Sequence, residues 1–315
     1  VSAPGWREPT LATLTDRRFS DDGWIFERKL DGVRAICARG SGPPTLYSRN
    51  HKVMDHAYPE LVEALAARGG PRFVADGEIV AFDEHGNTSF SALQPRIHVS
   101  DPGRARTTGV PVYYYLFDLL YLDDQDTTAL PLRQRKALLR DAFDFADPLR
   151  LSTHRNAEGE KFFEQACRRG WEGVVAKRAD STYRPGRTPD WLKFKCAQGQ
   201  ELVIGGFTDP QGARHGFGAL LLGYHENGAL QYAGKVGTGF DEELLASLHA
   251  RLKEREVASS PFDGPVKEPG AHWVRPDLVA QIDFSEWTRD GRLRHPRFAG
   301  LREDKKAAEV VRERP

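Results

Sequence analysis

The chain has 315 residues, 39% of them apolar and 29% charged, with 45 Lys plus Arg balanced by 45 Asp plus Glu. That length accommodates two packed domains, the composition excludes a disordered chain, and no apolar run approaches the roughly 20 residues needed to span a bilayer. A net charge of zero removes the basic excess common in nucleic-acid binders, although the local field depends on where the charges sit.

The start, VSAPGWREP, has no basic segment followed by an apolar core, so it does not read as a signal peptide. The absent initiator methionine suggests a processed chain or an excised fragment. Cys37, Cys167 and Cys196 are far apart and form no CxxC pair. Neither a disulfide nor a structural zinc site is therefore expected, and a reducing, cytoplasmic compartment follows.

In chain order, residues 22–47 alternate apolar and polar positions, which predicts strand, turn, strand. Leu61, Ala64 and Leu65 recur at helical spacing and predict a helix over Tyr58–Arg68, ended by Gly69-Gly70. Residues 72–82 read as a strand pair or a bent strand, and 110–122 as a long, mostly buried strand. Helices are expected over Leu132–Phe143 and around Gly159–Arg169, then short strands in WEGVVAKR and DWLKFK. After Lys195 the character changes, and CAQGQ (196–200) reads as a hinge between domains 1–197 and 198–315. Beyond it, Asn227-Gly228 and Asp290-Gly291 are turn pairs that tolerate positive φ. One helix over Asp241–Arg255 and a loop over 259–270 interrupt the hairpins. Five or so short strands with one helix fit a small barrel such as an OB fold.

Several cofactor fingerprints fail. Gly228, Gly234 and Lys235 are spaced one residue too long for a P-loop, and Val236 replaces its Ser or Thr. Gly237-Thr-Gly239 lacks the third glycine of a dinucleotide loop, and there is no HExxH or GxSxG.

A different device is carried by Lys29-Leu-Asp31-Gly32-Val-Arg34. A lysine amine attacks only when neutral, and nearby cations and desolvation both lower its pKa. Glycine admits close approach of a phosphate, and an aspartate two residues on can hold a divalent metal. In strand geometry Glu27, Lys29 and Asp31 share one face. The same alternation puts Trp191, Lys193 and Lys195 on one face, where the paired lysines suit an anion.

With these motifs in order, the sequence resembles the covalent nucleotidyltransferases, and specifically ATP-dependent DNA ligases, from roughly Glu8 to Val311. It is most similar to the ligase module of bacterial end-joining ligases, through YSRNHKVMDHAYPEL (47–61), LVIGGFTDPQGARHGFGALLLGY (202–224) and YAGKVGTGF (232–240). The resemblance implies an α+β fold: a nucleotidyltransferase (ATP-grasp-like ligase) domain of antiparallel sheets with helices, followed by an OB-fold β-barrel.

The resemblance also implies residue roles. Lys29 becomes adenylated by ATP, Glu27 reads the adenine amino group, and Arg34 lies at the nucleotide and nick end of the pocket. Arg49, in Ser48-Arg49-Asn50, contacts the 5′-phosphate of DNA. Glu78, in Asp76-Gly77-Glu78, serves the ribose, and Phe117 stacks on the base. Glu172 and Asp31 hold Mg²⁺ or Mn²⁺, while Lys193 and Lys195 bind the α-phosphate. Arg302, Asp304 and Lys305 form an RxDK motif that orients the departing pyrophosphate. The implied substrate is nicked duplex DNA, with no membrane role, in a bacterial nucleoid-associated monomer. A Ku-type end-binding protein, or fused or associated polymerase and nuclease modules, are the implied partners. Two other readings stay open on sequence alone: a GTP-dependent RNA-capping guanylyltransferase, and a catalytically dead nucleic-acid-binding scaffold.

Overall fold

A computed structural model describes residues 5–314 apart from 68, 69, 98, 197, 211, 213 and 214. Arg68 of the predicted helix, Gly69 of its Gly69-Gly70 stop, Ala197 of the predicted hinge and part of the 202–224 stretch therefore lie outside the described residues, while residues 198–200 of that hinge open a strand. The chain divides into two compact units, one of Val1–Cys196 with Arg314–Pro315 and one of Ala197–Glu313. Element labels follow chain order.

The first unit contains two sheets. One runs in the order β1 (Thr10–Leu14), β11 (Gly186–Lys195), β10 (Gly173–Arg178), β2 (Trp24–Lys29), β9 (His154–Asn156). Only β1 and β11 pair in parallel within it. The other runs β4 (Thr45–Ser48), β3 (Val33–Arg39), β5 (Phe73–Val80), β6 (Tyr113–Leu122), β7 (Gln125–Asp126), with β8 (Leu149–Leu151) parallel to β6. Alternation explains the first sheet's two faces: Trp24, Phe26, Val174, Ala176 and Phe194 pack with Phe162 and Phe163 of α5 (Gly159–Arg168), so the intervening residues point the other way. The second sheet's core draws on α1 (Pro59–Ala67), α2 (Phe90–Ile97) and α4 (Leu132–Ala142) through Leu61, Phe90, Leu93 and Leu139.

The predicted helices at 58–68, 132–143 and 159–169 appear as α1, α4 and α5, and the 72–82 segment is a single strand. The sequence reading did not anticipate α2 or α3 (Pro102–Thr107). Helix α2 has eight residues with Pro95 inside, and α3 has six, so neither carries a sustained apolar repeat. Asp101 starts α3 by accepting the Arg104 N–H at 2.8 Å.

In the second unit the strand order is β14 (Ala229–Val236), β13 (Leu220–Glu226), β12 (Gln198–Thr208), β16 (Ala271–Phe284), β15 (Glu256–Val257), with β19 (Arg297–Leu301) also on β16. The Phe298 N–H donates to Thr238 O just beyond β14 at 3.0 Å, returning β19 to the far end of the sheet, as an OB barrel requires. Asn227 and Gly228 both take positive φ, 52° and 81°, in the β13–β14 hairpin. Asp290-Gly291 turns the short hairpin of β17 (Glu286–Trp287) and β18 (Leu293–Arg294). Helix α6 (Glu242–Lys253) opens with Asp241 accepting the Leu244 N–H at 2.8 Å. The strands are not uniformly short: β12 has 11 residues and β16 has 14, and their mutual register shifts between Ile204 and Gly206. Such an irregularity lets one long strand turn a barrel corner.

The cysteine expectation is corrected. Cys167 and Cys196 form a disulfide, with Cα atoms 5.2 Å apart, and Cys37 is free and buried. The fold brings the last turn of α5 beside the end of β11, a proximity that 29 residues of separation conceal. The cysteine argument for a reducing compartment therefore falls away. Among the described residues no helix is long and apolar enough to cross a membrane.

One buried pair ties α4 to β6. Arg135 forks onto Asp118 at 2.7 and 2.8 Å, both side chains fully buried, and it also donates to Leu130 O and Ser181 O. Arg135→Met leaves a lone carboxylate in the core and is expected to cost roughly 3–5 kcal/mol in urea unfolding. The exposed Arg140→Met should stay within about 0.5 kcal/mol of the parent.

Candidate active site

Three strands build the site by register. Across β2, β10 and β11 the rows are Ile25–Lys177–Trp191, Glu27–Val175–Lys193 and Lys29–Gly173–Lys195. Directly paired residues share a face, so Glu27, Lys29, Lys177, Trp191, Lys193 and Lys195 line the side away from α5. Gly173 stands between Lys29 and Lys195 at φ +155°, where a Cβ would lie 1.9 Å from Phe194 O. Only glycine fits there, because a side chain would collide with the β11 backbone that carries Lys195.

Lys29 Nζ donates to Glu172 Oε2 at 2.5 Å, with both side chains mostly buried. Burial pushes the Lys29 pKa down, but Glu172, then Asp31 and Glu78, outweigh it and leave the value raised. Carboxylates thus set the direction of the shift at this amine, toward the charged form.

Glu27 is nearly inaccessible, at 2% exposure, and lies between two buried cations. It accepts Lys136 Nζ at 2.6 Å, Lys177 Nζ at 2.9 Å and Ser152 Oγ at 3.2 Å. Burial would raise its pKa, yet the two lysines bring it to about 2. Lys177 is lowered to about 8, chiefly by burial, with Lys136 adding repulsion and Glu27 opposing. Sequence reasoning assigned no role to Lys136, Lys177 or Ser152. Alternation from Gly173 through Val175 could have flagged Lys177; Lys136, 109 residues from Glu27, gives no local signal.

Phe117 is buried, with Lys177 4.1 Å and Arg34 4.8 Å from its ring centre and Trp191 edge-on at 6.0 Å. Arg34 is less available than expected, because it forks onto the fully buried Asp76 and donates to Thr10 O. The Tyr183 hydroxyl also donates to Asp76, at 2.6 Å. In the Asp76-Gly77-Glu78 motif the aspartate thus anchors Arg34, while Glu78 lies opposite Arg34 and Tyr115 and contributes negative potential at Lys29. Arg49 is half-buried beyond β4, in the turn before His51, whose φ is 63°.

Asp31 departs from a pure metal-ligand role, since its Oδ2 accepts the N–H of Phe90 at the start of α2 at 2.9 Å. No group of three or more metal-ligating side chains occurs among the described residues. Glu172, with Asp31 close enough to act on the same lysine, nevertheless fits Mg²⁺, which takes one or two carboxylates and fills its shell with water and substrate phosphates.

In the second unit Arg302 and Asp304 form a buried fork at 2.8 Å for both bonds, and Lys305 pairs with Glu201 at 3.0 Å. The charged-motif residues are therefore tied into the barrel by their own pairing.

A strand-borne lysine faced by a glutamate, with two further lysines on the same sheet face and an OB barrel following, defines a nucleotidyltransferase of the ligase type. Residues 9–195 match the ATP dependent DNA ligase domain and residues 213–305 the ATP dependent DNA ligase C terminal region. The chain belongs to the ATP-dependent DNA ligase family. It is 40% identical to the multifunctional non-homologous end joining protein LigD of Pseudomonas aeruginosa, covering 99% of this chain and 37% of that protein. With DNA ligase C of Mycobacterium tuberculosis it shares 32% identity, covering 83% of this chain and 74% of that protein. The structure of mycobacterial DNA ligase D complexed with ATP and MES superposes with a TM-score of 0.69 at 37% identity, over 97% of this chain and 98% of that one. The chain spans about two-fifths of the length of the LigD relatives.

The Glu27 cluster has a pH signature. With a folded value of about 2 against an ordinary 4.5, the unfolded chain takes up this proton first. The stability Glu27 contributes is present above pH 4.5 and is lost as pH falls toward 2. Lys177 has the same sign in a higher window: at about 8 against 10.5, the unfolded chain holds the extra proton, so stability rises with pH between those values. Urea midpoints measured against pH should lose part of the acid slope in Glu27→Gln and the alkaline rise in Lys177→Met.

Proposed function

We propose that this chain seals nicks through a lysyl-AMP intermediate and serves DNA end joining. The row Lys29–Gly173–Lys195, with Glu172 on Lys29, is the observation that supports this most. Lys29 Nζ attacks the α-phosphate of ATP, a P–N bond forms, and pyrophosphate leaves. The adenylate passes to the 5′-phosphate of a nick, the N–P bond breaks, and the 3′-hydroxyl then displaces AMP.

Lys193 and Lys195 balance charge on the α-phosphate, while Phe117 and Glu27 receive the adenine and Glu78 the ribose. Glu172 is the group that must release Lys29 from its charged state, because it accepts the hydrogen bond from that amine and raises its pKa most. Mg²⁺ or Mn²⁺ on Glu172, with Asp31 nearby, would supply positive charge to the phosphate and offset the carboxylate. Arg49 engages the 5′-phosphate of the nick, and Arg302, Asp304 and Lys305 serve departure of pyrophosphate. Nicked duplex DNA is the proposed substrate. A Ku-type end-binding protein, and polymerase and nuclease modules joined to or associated with this unit, are the proposed partners of a monomer acting at the bacterial nucleoid.

Protein incubated with ATP or GTP labelled at the α-phosphate should retain label after denaturation from ATP alone, and Lys29→Ala should retain none. Label from GTP would instead indicate a capping guanylyltransferase. Lys305→Ala is expected to slow adenylation by about 10²-fold, while sealing of a preformed adenylated nick stays close to the parent rate. An equal loss in both steps would contradict the assigned role of Lys305.

A further inference from the structure

On the flank of the first unit a cavity of about 730 Å³ opens between β2, β6, β9 and the segment after α5. Arg28, Tyr115, His154, Asn156, Arg169 and Trp171 carry its character. Alternation along β2 turns Arg28 to the face opposite Glu27 and Lys29, while Ser152, which donates to Glu27, and His154, which pairs with it, carry the cavity to the edge of the Glu27 cluster.

Two guanidinium groups meet there on one ring. Arg28 lies 4.5 Å and Arg169 5.3 Å from the centre of Trp171. Neither forms an ion pair with a carboxylate among the described residues. Arg28 reaches only Thr88 Oγ1, at 3.4 Å, and its buried Nε has no hydrogen-bond partner. Burial lowers the Arg28 pKa and Arg169 adds repulsion, against opposing contributions from Tyr115 and Asp83. Glu158 also borders the cavity, but it is already faced by Arg155 at 3.9 Å and Lys161 at 3.2 Å. Two like charges against one aromatic, one of them with an unsatisfied buried donor, gain from an anion beside them.

We propose that this cavity is a phosphate subsite for a nucleic-acid strand, in which Arg28 and Arg169 fork onto one backbone phosphate. The proposal rests on reading the chain as a DNA ligase. A base is a poorer occupant, because Trp171 already carries guanidinium groups. A strand fits better than an enclosed small anion, because the rim residues Thr153, His154, Arg155 and Asn156 are exposed and the volume exceeds that of one phosphate. Ser152 and His154 of the lining adjoin Glu27, so the held strand runs beside the Glu27 cluster.

The test compares the parent with Arg28→Gln and Arg169→Gln, the second an exposed position whose change spares the fold. Affinity for a nicked duplex is measured at several salt concentrations, with ATP adenylation and nick sealing recorded for each protein. Loss of one phosphate contact lowers the slope of log affinity against log salt by about 0.9. That drop in both variants, with adenylation unchanged, is the expected result. Equilibrium dialysis with labelled inorganic phosphate supplies the second arm: phosphate binding lost in the variants, with an unchanged DNA slope, assigns the cavity to a free anion and overturns the strand. No change in either measurement overturns the site altogether. Failure of the parent to seal nicks would overturn the ligase reading instead, which keeps the two failures distinct.

Discussion

Everything chemical in the first unit depends on the pairing register of three strands. Gly173 pairs with both Lys29 and Lys195, and its missing side chain is what lets β10 lie this close to the β11 backbone. A shift of one residue would turn Lys29, Lys193 and Lys195 into the aromatic packing against α5 and bring Phe26, Leu192 and Phe194 to the reactive face. The apolar half of each strand therefore enforces the position of the charged half. Phe26, Val174, Ala176 and Phe194 are fully or almost fully buried, so the register cannot slip without exposing them.

On that frame the electrostatics are arranged in pairs that restrain one another. Lys29 is charged through Glu172, and Glu27 is ionised through Lys136 and Lys177. Arg34 is held by Asp76, and Arg302 by Asp304. Such pairs keep buried charge tolerable without ligand, since a lone buried ion is far more costly than a matched one. A phosphate or metal that enters competes for partners already in place. ATP binding and metal binding should thus be coupled to the charge state of Lys29 through Glu172.

Much of this was legible in the sequence where signals were local. Alternation in Trp191-Leu-Lys193-Phe-Lys195 fixed which side chains share a face, and Asn227-Gly228 located a hairpin. The helices with repeating apolar positions, α1, α4 and α5, were readable from spacing alone. What failed was long-range or too short to repeat. Helix α3 is six residues opened by one aspartate, and α2 contains a proline, so neither shows periodicity. The pairing of Cys167 with Cys196 arises from how α5 returns beside β11. Lys136 reaches Glu27 only because α4 packs on the sheet, and no motif marks it. The raised pKa of Lys29 comes first from Glu172, which stands 143 residues away in the chain and which the fold brings to the amine.

The central claim is that Lys29, among several lysines on one face, is the residue that carries the nucleotide. Protein incubated with ATP and divalent metal, then digested and mapped by mass spectrometry, tests it directly. An acid-labile AMP adduct on the peptide containing Lys29 is the predicted result. An adduct on Lys193, Lys195 or Lys177, with Lys29 unmodified, would contradict the account and require the nucleophile to be reassigned.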